Sequence, residues 1–495
     1  MRGSWLGEGF PSPNSLRRQV IRQPAFYLFV AFLFSMPLMN PFVHGDGVGY
    51  YAYARAPLIQ HNLRFEEDWR RANEYFAKAR TGPDGQVLPV AYTETGYVAN
   101  LFTIGPAILW SPFLVFAHGA VLTADHFGGS IPADGFSRPY RVAMAFGTVF
   151  YGFLGLLLSF LLARNYVAEQ WALLATLGVW AATSLPVYMY FNPSWSHAHS
   201  AFTVALFLWY WNRTRPQRTV GQWFILGLIA GLMIDTYFPN GVFLLIPLIE
   251  AVRGYFASIR RGDGAALRSQ FGRSFVFLGA VILAVAPTLI TRAIIFGAPF
   301  RLGSYSVLPW DWTAPHRWSV LFSSDHGLLT WTPLVGCALG GLFLAGQKGK
   351  EIAAYCGVAA LGLYYVIASY PYWDGTSSFG NRFFISLTPV FVLGLAFLLQ
   401  RISERFRSPR RALAVLGGIV GVFALWNAGF IFQWGMHLIP VRGPISWRQM
   451  VHNQVYKVPS QVATKLDEYL FRRKTLMQEI EKRDIEEIEK GQPPP

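Results

Sequence analysis

Charged residues are scarce in this chain: Asp, Glu, Lys and Arg make up 14% of its 495 positions, too few to clothe a soluble surface of that size. Cysteine is scarcer still, with Cys337 and Cys356 alone. Both lie inside apolar runs without metal-ligand spacing, which excludes a disulfide framework and a cysteine zinc site. No phosphate-cradling glycine loop of the Walker or dinucleotide type occurs, and this argues against a soluble nucleotide cofactor. Gly417, Gly418 and Gly421 have instead the spacing of small-residue helix packing. Low-complexity tracts are also missing, as are internal repeats, which a transporter built from two related halves would show.

What fills the chain is apolar: 53% of residues are hydrophobic and 16% aromatic. They come in blocks at 25–42, 98–122, 140–163, 172–191, 198–211, 224–252, 275–296, 328–345, 352–368, 383–399 and 412–432. A helix of about 20 apolar residues crosses the hydrocarbon core, so the reading is an all-α polytopic bundle of about 11–13 spans. The division is a cytoplasmic segment 1–23, a membrane domain 24–433 with a long external loop 43–97, and a polar, partly helical tail 434–495. No small-x-small cleavage site follows the basic start, so the first block reads as an uncleaved span. The tail from 460 to 490 is rich in Glu, Lys and Arg and reads as a solvated helix.

The net charge of +15 would suggest nucleic acid in a soluble protein. Here Lys and Arg cluster in short loops beside the spans, which is the positive-inside pattern. That rule puts 1–23, 212–218, 253–273, 347–351 and 401–411 in the cytoplasm, and 43–97, 192–199, 297–327 and 369–381 on the opposite face. The block 224–252 is broken by Asp235 to Asn240 and reads as a hairpin with Asp235 near its outward turn. Strict alternation fails between 97 and 164, where Pro106 and Pro112 suggest a re-entrant or interfacial piece.

The outward loops hold the candidate chemistry. After the first span come His44, Gly45 and Asp46, then Tyr50, Tyr51, Tyr53 and Arg55, a carboxylate at the membrane surface with aromatic groups one helical turn on. A helix N-cap is the alternative job for Asp46. Phe65, Trp69, Ala72 and Phe76 recur at spacings of four, three and four, which predicts an amphipathic helix lying on the bilayer. His197 and His199, two apart, are the candidate metal ligands, with Asp325 and His326 a second polar pair. The segment 297–327 mixes Arg301, Tyr305, Trp310, Asp311, Trp312, His316, Arg317 and Trp318, a set suited to stacking on a sugar and holding phosphate or to an aromatic interface belt.

An external loop that opens with an acidic residue after span one and continues in interfacial helices resembles the GT-C glycosyltransferases. The run around Glu94, Tyr97, Asn100, Gly105 and Pro106 is similar to the segment closing that loop in bacterial protein O-mannosyltransferases and aminoarabinose transferases. Tyr372, Trp373, Asp374, Gly375 and Arg382 resemble a Trp- and Gly-rich stretch before a late span in the same proteins. The chain departs from them where Gly47 follows a lone Asp46, since several families have an Asp-Glu pair. The resemblance implies inverting transfer from a polyprenyl-phosphate-linked sugar to a lipid, glycan or protein acceptor, at the periplasmic or exterior face of a bacterial inner membrane. It implies Asp46 as general base and Arg382 as the cation for the leaving phosphate. Tyr50, Tyr51, Arg55, Glu94, Tyr97, Arg301, Arg317 and Asp374 then become donor- or acceptor-binding candidates. The residues make no cofactor certain; a divalent metal stays an open alternative, with His197 and His199 as its candidates from their spacing. The rival classes are a transporter or lipid flippase and a noncatalytic assembly subunit of the same fold.

Overall fold

The computed structural model describes residues 24–71, 80–82, 84–301 and 310–491. Among them no β-strand forms, and only isolated bridges join Thr81 to Val87 and Tyr92 to Val98. Pro24–Ser35 (α1) leads to Asp46–Arg55 (α2) in the first loop, then to Gly105–His126 (α3), Arg138–Ala163 (α4), Glu169–Ala181 (α5) and His197–Thr214 (α6). Val220–Thr236 (α7), Leu245–Arg261 (α8), Gly264–Phe296 (α9), Leu334–Leu342 (α10), Lys350–Ala368 (α11), Thr388–Ser403 (α12) and Pro409–Gly435 (α13) complete the bundle, and Val458–Phe471 (α14) and Arg473–Gly491 (α15) end it. Among the described residues seven helices are long and apolar enough to cross a membrane, with Pro24–Leu38 and Val220–Thr236 apolar but shorter. The protein is an integral membrane protein of helical type.

Burial sorts these helices into a centre and a shell. The segment Arg382–Ser403 is 89% buried along its most apolar window, whereas Gly264–Phe296 and Pro409–Gly435 are each 28% buried. The shell helices therefore present wide apolar faces, such as Phe275, Leu278, Ile282 and Leu283 of α9, to lipid. Between α7 and α9 the backbones close up at Gly227 and Gly231, where a methyl group would meet Phe277 O at 2.5 Å and Ala284 Cβ at 2.5 Å. Small residues one turn apart make that approach affordable in a medium that gives no hydrophobic drive between helices.

The predicted break at Asp235 to Asn240 is present: α7 ends at Thr236, and a 3₁₀ turn, Phe238–Leu244, leads into α8. Between 97 and 164 the chain behaves differently from the re-entrant expectation. Gly105–His126 is one continuous helix, with Pro106 in its first turn where a missing N–H costs little and Pro112 inside it. It runs antiparallel to the first half of α4, as Trp110 Nε1 donates to Thr148 Oγ1 at 2.8 Å and His118 Nδ1 meets the Tyr140 hydroxyl at 2.6 Å. The second half of α4 continues past it against α6, where Gly155 touches Phe202. Thus α3 runs away from the basic end of the bundle and α4 returns toward it. At that basic end Ala168 N donates to Gln400 Oε1 at 3.0 Å, and Arg215 and Arg253 pair with Glu351.

The first loop builds a second, smaller core with α3 and the start of α4. Phe65 and Trp69 are buried in it against Tyr53, so the described part of the expected surface helix, Glu66–Arg70, packs into protein. Residues 72–79 of that expectation lie outside the described residues. The tail also differs from a solvated helix. Tyr469 of α14 donates to the Leu38 carbonyl at 2.8 Å and packs on Phe191, and Arg473 holds the carbonyls of Pro37 and Met39. Its apolar residues Val462, Leu466 and Tyr469, at spacings of four and three, were outweighed in the sequence by the charges around them.

Candidate functional site

The site forms where α1 gives way to the first loop. Asn40 N donates to the Tyr190 carbonyl at 2.8 Å, which ties the end of span one to the residues before α6. The helix α2 then enters unusually close to its neighbours. A methyl group at Gly47 would lie 2.0 Å from Ser194 Oγ, and one at Gly49 1.9 Å from the Phe102 ring. Only glycine permits this approach, and it seats the first residue of α2, Asp46, at the floor of a cleft.

Across the cleft stands Arg382, in the 3₁₀ turn Arg382–Leu387 that opens the central helix. Its Nη2 lies 3.1 Å from Asp46 Oδ2, with the arginine side chain 10% exposed and the carboxylate 39%. The guanidinium stacks on Trp195 at 4.2 Å, and Trp195 Nε1 donates to the His44 carbonyl at 3.0 Å. Nε and Nη1 of Arg382 are buried and complete no hydrogen bond. A guanidinium with unbonded N–H groups is suited to hydrogen-bonding an anion such as phosphate. No side-chain hydrogen bond caps α2, so the capping alternative for Asp46 is not the arrangement seen.

Asp46, Arg382 and Trp195 line one part of a cavity of about 370 Å³. The remaining wall is largely apolar, with Leu38 and Phe42 after α1, Phe191 before α6, Ile431 and Phe432 from α13, and Leu466 and Met477 from the tail. Arg442, Glu481 and Lys465, the last paired with Glu468 at 2.6 Å, are the charged residues of the same wall. The tail residues and Arg442 were not among the sequence candidates; the spacing of Val462, Leu466 and Tyr469 was the available signal.

The other sequence candidates fall at varied distances from this cleft. Tyr50, one turn from Asp46, accepts a hydrogen bond from Ser196 Oγ at 3.0 Å, and burial, with Asp46 adding, pushes its phenol above the ordinary range. Tyr51 faces the other way and donates to the Gly135 carbonyl at 2.6 Å. Arg55 makes a fully buried bidentate pair with Asp68 at 2.7 and 2.6 Å under the Phe136 ring, so it braces the loop instead of meeting a ligand. Glu94 is exposed, Tyr97 lies under Arg64 at 5.3 Å, and Arg301 lies over Phe296 at 6.0 Å. Arg317 is exposed at the start of the short helix Arg317–Phe322, and Tyr305 lies outside the described residues. None of these four, Glu94, Tyr97, Arg301 or Arg317, has a described contact with Asp46 or Arg382. Asp235 is fully buried and faces Arg292, whose Nη2 holds the Leu101 and Phe102 carbonyls at 2.8 Å each; it supports the segment leading into α3.

The expected histidine pair does not converge. Two residues apart on a helix are separated by about 200° around its axis. His197 accordingly sits among Tyr188, Trp195, Tyr237 and Phe383, and His199 against Trp110 and Tyr151. Among the described residues the group whose ligand atoms do come together is Asp325, His326 and Asp374, all within 4.8 Å of one another. Burial, with Asp374 adding, pushes the Asp325 carboxyl up to about 6. Burial also lowers His326 to about 3, which keeps its imidazole neutral.

No family model matches the sequence, and no curated protein matches it. Solved structures do resemble it in fold. An archaeal oligosaccharyltransferase, AglB from Archaeoglobus fulgidus, solved with an inhibitory peptide and a dolichol-phosphate, aligns at a TM-score of 0.49 and 14% identity. The alignment covers 88% of this chain and 56% of that one, so the chain spans about half the length of that relative. ArnT from Cupriavidus metallidurans, solved with undecaprenyl phosphate, aligns at 0.48 and 12% identity over 86% of this chain and 71% of that one.

Proposed function

We propose that the protein is a membrane glycosyltransferase that moves a sugar from a polyprenyl-phosphate-linked donor to an acceptor hydroxyl. The observation that carries the reading is a buried arginine with uncommitted N–H groups beside a half-exposed carboxylate, at one end of an apolar cavity. The isoprenoid chain lies along Phe191, Phe432 and Leu466, and its phosphate meets Arg382. Asp46 removes the acceptor proton as the acceptor oxygen attacks the anomeric carbon. The bond from that carbon to the phosphate oxygen breaks, and Arg382 takes up the charge left on the polyprenyl phosphate. Attack opposite the leaving group inverts the anomeric centre. The positive-inside pattern supports an orientation of this face away from the cytoplasm, which the reading takes as the periplasmic or exterior side of a bacterial inner membrane.

The test is transfer of radiolabel from a panel of polyprenyl-phosphate sugars by the purified protein in lipid nanodiscs, with lipid, glycan and peptide acceptors. Label in a new covalent product supports the reading. Label that crosses a vesicle membrane unchanged would replace it with a transporter or flippase.

A further inference from the structure

We propose that Asp325, His326 and Asp374 form a binding site for one divalent transition-metal cation, held by two carboxylates and one imidazole beside Arg382. The three ligand atoms lie within 4.8 Å of one another, and His326 Nδ1 is 3.4 Å from Asp325 Oδ1. Ligands bound at about 2.1 Å in a tetrahedral site stand about 3.4 Å apart, so this pair already has the spacing of neighbouring ligands.

The second observation is that the His326 nitrogens and Asp325 Oδ1 are orphaned. His326 is 0% exposed and neither of its ring nitrogens completes a hydrogen bond, although the Asp374 main chain faces the ring. Asp325 Oδ1 is buried and equally without a hydrogen bond. A buried imidazole nitrogen and carboxylate oxygen that complete no hydrogen bond carry a desolvation penalty that a shared cation would relieve. Arg382 faces His326 but is charge-matched by Asp46, and no lysine or arginine pairs with Asp325 or Asp374 among the described residues. A cation therefore answers two partly exposed carboxylates that no lysine or arginine pairs.

The ligands are carried on braced turns, which favours a preformed site. Asp325 N donates to Ser323 Oγ at 2.9 Å, Thr330 Oγ1 donates to the Ser323 carbonyl at 2.7 Å, and Trp331 Nε1 donates to the Ser324 carbonyl at 3.0 Å. On the other loop Asn381 Nδ2 donates to the Trp373 carbonyl at 2.8 Å, next to Asp374. The donor set of two oxygens and one nitrogen suits Mn²⁺ or Zn²⁺ better than Ca²⁺, which takes oxygen alone. With three protein ligands, a position remains for water or a phosphate oxygen; that last role rests on the proposed transferase reading, whereas binding of the ion does not.

The experiment loads the chelator-stripped, full-length protein in nanodiscs with Mn²⁺ or Zn²⁺, without donor or acceptor, and reads stoichiometry by elemental analysis and affinity by calorimetry. One ion per chain is expected, with at least hundredfold weaker binding in Asp325→Asn and Asp374→Asn and undiminished binding in Asp46→Asn. For Mn²⁺ the pulsed electron-spin-echo spectrum should show ¹⁴N modulation that His326→Gln removes. Thermal unfolding of each variant confirms that it is folded, and Asp374, half-exposed, is the position least able to disturb the fold. Failure of the native protein to bind either metal, or full binding in both aspartate variants, would overturn the site. Loss of binding in Asp46→Asn would overturn the three-residue assignment.

Discussion

Replacing Arg382 separates binding from chemistry. In the cleft its guanidinium stacks on Trp195 at 4.2 Å, holds Asp46 through one nitrogen and keeps two donors for an anion. A phosphate that takes those donors makes charge-assisted hydrogen bonds with a buried group, and truncating one partner of such a pair costs about 2–5 kcal/mol. Arg382→Gln should therefore weaken binding of a short polyprenyl phosphate by about 30-fold to several thousandfold. Arg382→Lys keeps the charge but loses the planar fork, and should fall between the native protein and the glutamine variant. Asp46→Asn behaves oppositely. Across 3.1 Å the gross attraction at an effective dielectric of 20 is about 5 kcal/mol, but the carboxylate is 39% exposed and solvent screening leaves about 1 kcal/mol. Removing its charge should leave phosphate binding unchanged or up to about fivefold tighter. Calorimetry on folded protein in nanodiscs gives both numbers. The reasoning fails if Arg382→Gln binds the lipid phosphate as tightly as the native chain, or if Asp46→Asn loses that binding.

Other outcomes follow from the packing. Arg55→Ala leaves Asp68 buried without its partner and should cost about 3–5 kcal/mol of stability, read as a large fall in unfolding temperature, with kcat/KM per folded molecule little changed. Gly47→Ala drives a methyl into Ser194, overpacks the cleft by about 1–3 kcal/mol and should reduce turnover, whereas Gly241→Ala, with nothing within 4 Å, should be silent in both assays. Leu466→Glu places a charge in the apolar cavity wall and should raise KM for a long-chain donor far more than for a short-chain analogue, a difference absent if the tail does not contact the lipid.

Much of this architecture was legible in the sequence because membrane helices announce themselves by length. Most blocks and the break at Asp235 appear where apolar runs and Pro239 put them, whereas 172–191 and 328–345 yield the shorter helices Glu169–Ala181 and Leu334–Leu342. The hairpin of α3 and α4 was not legible, because one helix of 22 residues reads as a crossing whether or not its partner runs back beside it. At the site, Asp46 and Arg382 were named from separate loops and stand 3.1 Å apart, but Arg55, two turns further along α2, is consumed by Asp68. Spacing on one helix gives a face and not a partner. The same limit applies to His197 and His199, two apart in sequence and opposed on α6. The ligand group containing Asp374 and His326 joins residues 48 apart, which no local pattern can pair. The tail was misread because hydrophobic residues at helical spacing were hidden among charges, and only docking on Leu38 and Phe191 shows which face is buried.

The transferase account is tested most directly by single-turnover sugar transfer from a radiolabelled polyprenyl-phosphate donor, comparing the native protein with Asp46→Asn at matched folding and matched donor occupancy. The expected result is product in the native protein and a rate about a hundredfold to ten-thousandfold lower in the variant, the usual range for a lost general base. Equal rates would remove Asp46 from the mechanism, and no covalent product from any donor in the native protein would contradict the transferase itself.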